Sequence, residues 1–221
     1  MRIITYNSPG PFNLNMFGNF GLFFIQRCVK SMLKDIPYQY SYIKNFKERG
    51  LCIVSKNIAL DDNVSTGTFS WWPEKAHGDQ GKRWQILTVY IDNKPYKFIN
   101  GLPSYSTSSE EGLDATKIYE KDRVLQTKEL LNLIDTNTIL VGDFHQPDHR
   151  LEEELNLDKR NLINHIKDGT FTCRDGSIDS IDKIITTKDS PFQISNVSVI
   201  KYDRDNLMGH WPIRFNLEVE A

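Results

Sequence analysis

The sequence predicts a mixed α/β fold in which strands outnumber helices. Short runs of β-branched and aromatic residues recur along the chain, and clusters of turn-forming residues bound them. Only a few longer segments have helical periodicity. Hydrophobic residues fill 39% of the 221 positions, which argues against a disordered chain and supplies material for a sizeable core.

The first third of the chain is predicted to contain three strands and one helix. Residues 3–6 form a β-rich run, and the turn-rich residues 8–11 end it, so Asn7 lies at a strand end. Residues 17–33 carry aromatic residues close to helical spacing and are predicted to form an amphipathic helix. Residues 37–46 and 50–55 resemble a hairpin.

The middle of the chain predicts several strands in succession before the next helix. A serine- and glycine-rich surface loop is expected at residues 101–112, and a helix at residues 114–134. The predicted strands, separated by a polar loop and a turn, are residues 66–72, 84–91 and 96–100.

Residues 136–147 predict a buried central strand that ends in polar side chains. Ile139 to Val141 form its apolar run, Gly142 would allow a sharp turn, and Pro147 stops further pairing. Asp143 and His145, two residues apart on an extended chain, would point to the same side. A carboxylate here is costly to desolvate unless it meets a cation or a donor, although Asp143 could also simply cap the turn.

The C-terminal third is predicted to be mostly strand. Residues 148–166 are helical or mixed, and Asp182 and His210 adjoin apolar runs. The predicted strands are residues 170–173, 180–185, 192–202 and 213–219.

Composition restricts the class of protein further. We expect one domain over residues 1–221, because no abrupt change in composition marks a linker. The formal net charge of −2 gives no whole-molecule attraction to nucleic acid or anionic membranes. Three widely spaced cysteines support neither a disulfide framework nor a zinc cluster. With no signal-peptide pattern and no apolar segment approaching about 18 residues, we expect a cytoplasmic protein without a membrane partner.

Five segments, in this order along nearly the whole chain, resemble motifs of the endonuclease/exonuclease/phosphatase superfamily, the fold of pancreatic-type deoxyribonuclease. They comprise a first strand ending in Asn, the helix before the central strand, a Gly-Asp-Phe motif, an Ile-Asp strand and a final His-x-Pro motif. The segments are residues 4–7, 123–126, 140–144, 180–184 and 209–213.

The resemblance implies a four-layer sandwich of two packed, mostly antiparallel β-sheets flanked by helices. It also implies a metal-dependent phosphoesterase, most plausibly a nuclease, with magnesium or manganese as cofactor and nucleic acid or another phosphate ester as substrate. Fold alone does not fix this chemistry.

The resemblance also assigns roles to single residues. Asp143 would orient the water or bind the metal, His210 would act as general base, and Asp182 would fix the tautomer of His210. Asn7 would contribute to the metal site, and His145 would be a further catalytic residue. The structural alternatives are a turn-forming Asn7, a cap-like Asp182 and a His210 packed beside Trp211.

The sequence departs from the family pattern in four places. The family has a metal-binding Glu in a Gln-Glu pair at the end of its second strand, and the nearest match places Tyr40 there. The family motif that ends Thr-His-Leu appears here as residues 98–102, so the first catalytic His is missing. His145 replaces an Asn, and Gly209 replaces the Asp before the final His. These losses remove negative charge from a magnesium site.

Two hypotheses therefore follow. In the first, the chain is a divergent phosphoesterase, and His145 with His149 favours manganese, iron or zinc over magnesium. In the second, the chain keeps the sandwich as a catalytically silent scaffold that binds protein or nucleic acid. They differ in whether a further carboxylate reaches Asp143, and the candidates are Glu48, Asp79, Glu110 and Glu111.

Overall fold

Two six-stranded β-sheets form the framework of the protein in a computed structural model. The structure describes residues 1–7, 14–46, 49–70, 83–103, 112–145, 148–172, 178–201 and 209–220. The turn predicted at residues 8–11 lies outside these ranges. Within the described residues, no helix combines the length and the apolar composition that a membrane crossing requires.

The first sheet has the strand order β13-β15-β1-β2-β4-β3. Only β1 and β2 run parallel, and the other neighbours are antiparallel. Its strands are β1 (Arg2–Asn7), β2 (Leu22–Val29), β3 (Gln39–Phe46), β4 (Arg49–Ser55), β13 (Phe192–Val199) and β15 (Ile213–Val219).

The second sheet has the order β5-β6-β7-β8-β12-β9, and here β7 and β8 are the parallel pair. Its strands are β5 (Val64–Thr68), β6 (Arg83–Ile91), β7 (Lys94–Gly101), β8 (Thr138–Asp143), β12 (Asp182–Thr187) and β9 (Leu162–Asn164). A small third sheet has β10 (Phe171–Thr172) between β11 (Ile178–Asp179) and β14 (Gly209–His210).

The main core lies between the two large sheets. Phe24 of β2 and Phe98 of β7 stack across it with ring centroids 6.0 Å apart. Alternate residues of the central strands supply this core because successive side chains of a strand point to opposite faces. Its buried members include Ile3, Leu22, Ile53, Leu87, Val141, Ile184, Ile213 and Phe215.

Helical segments cover the outer faces of the sheets. The helices α1 (Gly112–Asn132) and α2 (Asp148–Leu155) pack on the second sheet through Leu130 and Leu151. The 3-10 helices Leu14–Phe17 and Lys30–Leu33 contribute to the apolar cluster on the outer face of the first sheet. The architecture is therefore the predicted sandwich of two packed, mostly antiparallel sheets.

The predicted helix over residues 17–33 is wrong, because its centre is strand β2. Phe23 and Ile25 pack on the outer face of the sheet, whereas Leu22 and Phe24 pack between the sheets. Both faces of this strand are buried, so its apolar residues form a continuous run rather than an alternation. Such a run is readily mistaken for a helical pattern.

Two smaller corrections concern residues 148–166 and Gly142. The helix α2 ends at Leu155, and β9 follows at Leu162–Asn164. Gly142 makes no sharp turn: β8 continues through it to Asp143. Gly142 instead allows a close approach, since it pairs with Gly101 of the parallel strand β7.

We expect Gly142→Ala to destabilise the protein by about 1–3 kcal/mol, a typical cost of overpacking. A β-carbon at residue 142 would lie 2.1 Å from the backbone carbonyl oxygen of Gly101, which cannot move without shifting β7. Gly101→Ala is the matched control, because its β-carbon meets a movable Leu130 methyl at 2.7 Å. Denaturant unfolding would measure both variants, and equal losses would contradict the argument.

Candidate active site

The polar residues predicted at separate strand ends lie together at one end of the sandwich. The side-chain amide of Asn7 donates to Asp143 Oδ2 and lies 3.0 Å from His210 Nε2. His210 Nδ1 lies 2.9 Å from Asp182 Oδ2. The structure thus brings together four residues that are far apart in the sequence.

Strand pairing explains this convergence. Asn7 is the last residue of β1 in the first sheet, and Asp143 is the last residue of β8 in the second. Asp182, the first residue of β12, lies directly opposite Asp143 in the antiparallel pair. His210 of β14 pairs with Phe171, and its ring centroid lies 4.8 Å from that of Phe171.

Asp143 is completely buried, and donors surround its carboxylate. Oδ1 accepts the backbone N–H of His145 at 2.8 Å, and Oδ2 lies 2.9 Å from His145 Nδ1. Burial alone would raise the pKa of Asp143, but the positive charges of His145, His210 and Arg27 outweigh it and hold the pKa well below the ordinary value. Asp143 is therefore ionised at neutral pH.

His145 follows the central strand in a left-handed conformation, with φ of 52°. This φ is uncommon for a residue with a β-carbon, and it accompanies the bonds that both backbone and ring of His145 make to Asp143. The guanidinium of Arg123 in α1 donates to the His145 carbonyl oxygen at 3.1 Å. The predicted helix before the central strand thus supports this turn.

His210 and Asp182 form a buried pair. Burial lowers the pKa of His210, but the Asp182 and Asp143 carboxylates raise it more, so the net pKa lies above the ordinary value. Burial and the charge of Asp143 raise the pKa of Asp182, against the effect of His210. The Asp182 carboxylate accepts a hydrogen bond from His210 Nδ1–H, so in neutral His210 this bond would leave Nε2 unprotonated.

Thr170 was not identified from the sequence, although it positions Asp182. It is buried, and its hydroxyl oxygen accepts the backbone N–H groups of Ile181 and Asp182 at 3.2 and 3.1 Å. A lone threonine at the start of a predicted strand gave no signal of this role.

The position of the missing Glu has to be corrected. β2 is the second strand, and its Gln26 pairs with Asn7, so the Gln-Glu pair of the family corresponds to Gln26 and Arg27. Tyr40 lies instead on the edge strand β3, where 42% of it is exposed. A cation therefore occupies the place that the resemblance gives to a metal-binding carboxylate.

A layer of uncharged polar side chains lies beneath the site. Asn100, in the segment that lacks the family's first catalytic His, is buried and accepts from Gln26 Nε2 at 2.7 Å. Its own amide lies 3.3 Å from Gln85 Oε1, and Gln26 also donates to Thr5 Oγ1 at 3.2 Å. Asn100 therefore joins the two sheets.

The four carboxylates considered as further metal ligands, Glu48, Asp79, Glu110 and Glu111, lie outside the described residues, as does the His149 side chain. Among the residues that the structure describes, Asp143, His145 and His210 form a group that could hold a metal ion, with ligand atoms within 4.8 Å of one another. Asn7 Oδ1 is buried beside them and has no hydrogen-bond partner within the described part of the chain.

Comparison with solved structures identifies the architecture. Humanized TDP2 from D. rerio (11% identity, TM-score 0.68) and an endonuclease/exonuclease/phosphatase family protein from Leptotrichia buccalis (13%, TM-score 0.68) each match over 99% of both chains. The chain has the endonuclease/exonuclease/phosphatase fold. A mannosyl-6-phosphatase from Bacteroides thetaiotaomicron matches over the same shares at 16% identity and a TM-score of 0.63. No protein-family model and no curated protein matches the chain.

These similarities confirm the predicted superfamily resemblance at the level of fold. At such low identity they carry no information about the roles of single residues. The cluster has polar residues at the ends of β1, β8 and β12, and the fold alone does not fix its chemistry.

We expect the stability of the protein to fall above neutral pH because of His210. Its raised pKa means that the folded state binds this proton more tightly than the unfolded chain, whose histidine pKa is about 6.5. The stabilisation is complete below that value and is lost as the pH rises through the folded-state pKa. Unfolding free energies between about pH 6 and pH 9 should therefore decline more steeply for the wild type than for His210→Gln. Parallel profiles would show that His210 is not stabilised in its protonated form.

Proposed function

We propose that this chain hydrolyses phosphate esters, with phosphodiesters of nucleic acid as the first substrates to test. The proposal rests on the buried Asp182–His210 pair. The second ring nitrogen of His210, Nε2, faces Asn7 and Asp143. A histidine held in this way is a common means of moving a proton during hydrolysis.

The hydrogen bonds define which nitrogen would move the proton. Nδ1–H of His210 donates to Asp182, which leaves the lone pair of Nε2 directed into the site. A water molecule attacking phosphorus would lose its proton to Nε2 while the bond from phosphorus to the leaving oxygen breaks. The His210 imidazolium then gives this proton to the leaving oxygen, so the products are a phosphate group and an alcohol.

Asp143 would make this proton transfer favourable. Its Oδ2 lies 3.5 Å from His210 Nε2, so its negative charge would stabilise the imidazolium that forms when the water is deprotonated. Asn7 donates to the same carboxylate oxygen and would fix its direction. Asp182 stabilises the imidazolium from the other side of the ring.

The comparison with known structures supports the same class of reaction. The neighbours include proteins named as a phosphatase and as an endonuclease domain. Both names describe the cleavage of phosphate esters, and both proteins share this fold with identities of 16% and 12%. The choice of nucleic acid as the first substrate follows from the resemblance to deoxyribonuclease.

The side chains that could bind a divalent metal in this site offer few oxygen ligands. Asp143, His145 and His210 would hold it, and Asn7 Oδ1, which has no hydrogen-bond partner among the described residues, would be a fourth donor. The ion would supply a Lewis acid, and a His210 that binds it through Nε2 would not be the general base. Magnesium prefers carboxylate and water oxygens, whereas imidazole suits manganese or zinc. This donor set therefore does not fit magnesium, and it fits manganese or zinc better.

Asp182→Asn should lower the rate of hydrolysis by about 10²- to 10⁴-fold, the usual worth of an oriented general base. The amide cannot act as the anion that fixes and stabilises His210, although it preserves the shape of the side chain. Asp168→Asn, the same exchange at an exposed residue, is the control and should keep the wild-type rate. An unchanged rate in Asp182→Asn with a folded protein would limit Asp182 to a structural role.

Asp143→Asn should abolish activity without unfolding the protein, because it removes the negative charge from the centre of the site. The assay would offer single-stranded, duplex and abasic DNA, RNA, a chromogenic diester and a chromogenic monoester. Each would be tested with magnesium, manganese, zinc or a chelator, and manganese should support the rate at least as well as magnesium.

Failure of the wild-type protein to cleave any of these substrates would overturn the proposed function. The binding scaffold would then be the better hypothesis, and direct binding of the same nucleic acids would test it. If the protein cleaves the monoester alone, it is a phosphoesterase but not a nuclease.

A further inference from the structure

We propose that Arg27 is the phosphate-binding residue of this site and that its guanidinium replaces magnesium as the cation that holds the substrate phosphate. The inference rests on the proposed function, since it assumes that a phosphate group enters the site. It identifies the residue that would bind the substrate phosphate, and it implies that this binding requires no metal ion.

The register of β2 places Arg27 at the edge of the cluster. Gln26 is the partner of Asn7 in the parallel pair, and Arg27 is the next residue. The strand thus continues one position beyond the end of β1, on the side where Asp143 and His210 lie.

A β-bulge turns the side chain of Arg27 toward the interior. Ile25 pairs with Cys52 and Cys28 pairs with Gly50, so two residues of β2 lie opposite the single residue Leu51. Ile25 and Cys28 both pack in the outer cluster, although regular alternation would place them on opposite faces. The two residues between them, Gln26 and Arg27, therefore both belong to the inner face. Bulges commonly re-aim a side chain in this way beside active sites.

The backbone of Arg27 shows the cost of this orientation. Its φ is 60°, in the left-handed region, which is unfavourable for a residue with a β-carbon. Strain of this kind persists where the surrounding structure enforces it, and it is concentrated at functional sites. Arg27 is also half-buried, so its charge is partly withdrawn from water.

The charge of Arg27 acts on the residues of the cluster. It lowers the pKa of Asp143 and that of His210, so the guanidinium contributes positive potential at both side chains. The same potential opposes a doubly charged ion at Asp143, where the described residues offer just one carboxylate beside an amide and two imidazoles. Arginine is well suited to the alternative role, because its planar guanidinium can donate two parallel hydrogen bonds to a phosphate.

Titration of inorganic phosphate into chelator-treated protein, followed by calorimetry, tests the proposal without requiring turnover. The wild type should bind phosphate without a divalent metal, and Arg27→Gln should bind at least tenfold more weakly. Arg27→Lys should show an intermediate loss, because lysine keeps the charge but not the paired donors. Arg49→Gln, at an exposed position on β4, is the matched control and should bind like the wild type.

Two further variants guard against misfolding and test the exchange of cations. Arg27→Gly removes the guanidinium but accepts the left-handed backbone without strain, so it should be folded and still defective in phosphate binding. Arg27→Glu should lose phosphate binding and gain binding of magnesium, because it places a second carboxylate beside Asp143 and Asn7. Magnesium titration of Arg27→Glu and of the wild type measures this gain.

Phosphate binding that requires magnesium in the wild type, or that is unchanged in folded Arg27→Gly, would overturn the proposal. This outcome is distinct from failure of the proposed function. If the protein binds phosphate through Arg27 but cleaves no ester, the role of Arg27 stands and the proposed function is wrong. If Arg27→Gln cleaves esters as well as the wild type does, the proposed function stands and the role of Arg27 is wrong.

Discussion

The burial of the Asp143 carboxylate is the constraint on which the rest of the site depends. An ionised carboxylate out of contact with water costs several kcal/mol unless donors and cations surround it. Here the compensation comes from the first sheet, from the turn after β8 and from the small third sheet, through Asn7, His145 and His210, respectively. Each of these residues is held by a different part of the chain, so the charge of Asp143 also ties the ends of the two sheets together.

A second carboxylate lies opposite the first. Asp182 and Asp143 are paired residues of adjacent antiparallel strands, an arrangement in which like charges repel. The imidazole of His210 approaches both and carries the compensating charge. The attraction between His210 and Asp143 contributes both to the raised pKa of His210 and to the lowered pKa of Asp143.

Local patterns in the sequence were sufficient for many of the strands, whereas the packing of two sheets and the grouping of the polar residues were predicted from the superfamily resemblance. β1, β8 and β12 are apolar runs with clear ends, so Asn7, Asp143 and Asp182 could be placed at strand ends before their contacts were visible. Their catalytic roles stay predictions, because geometry alone does not test them. The segment around β2 was mistaken for a helix because both of its faces are buried, which removes the alternation that identifies a strand. That error also concealed Arg27, whose direction depends on a bulge defined by the pairing of β2 with β4 and not by any neighbour in sequence.

The neutral layer formed by Gln26, Asn100 and Gln85 separates the charged residues from the apolar core. It joins β2 of one sheet to β6 and β7 of the other with amide groups whose hydrogen bonds do not depend on the charge above them. An exchange of a carboxylate for a guanidinium at the rim can therefore occur without repacking the hydrophobic interior. In evolutionary terms, the sandwich is a framework on which the charge of the residues at this end can change while the chain continues to fold.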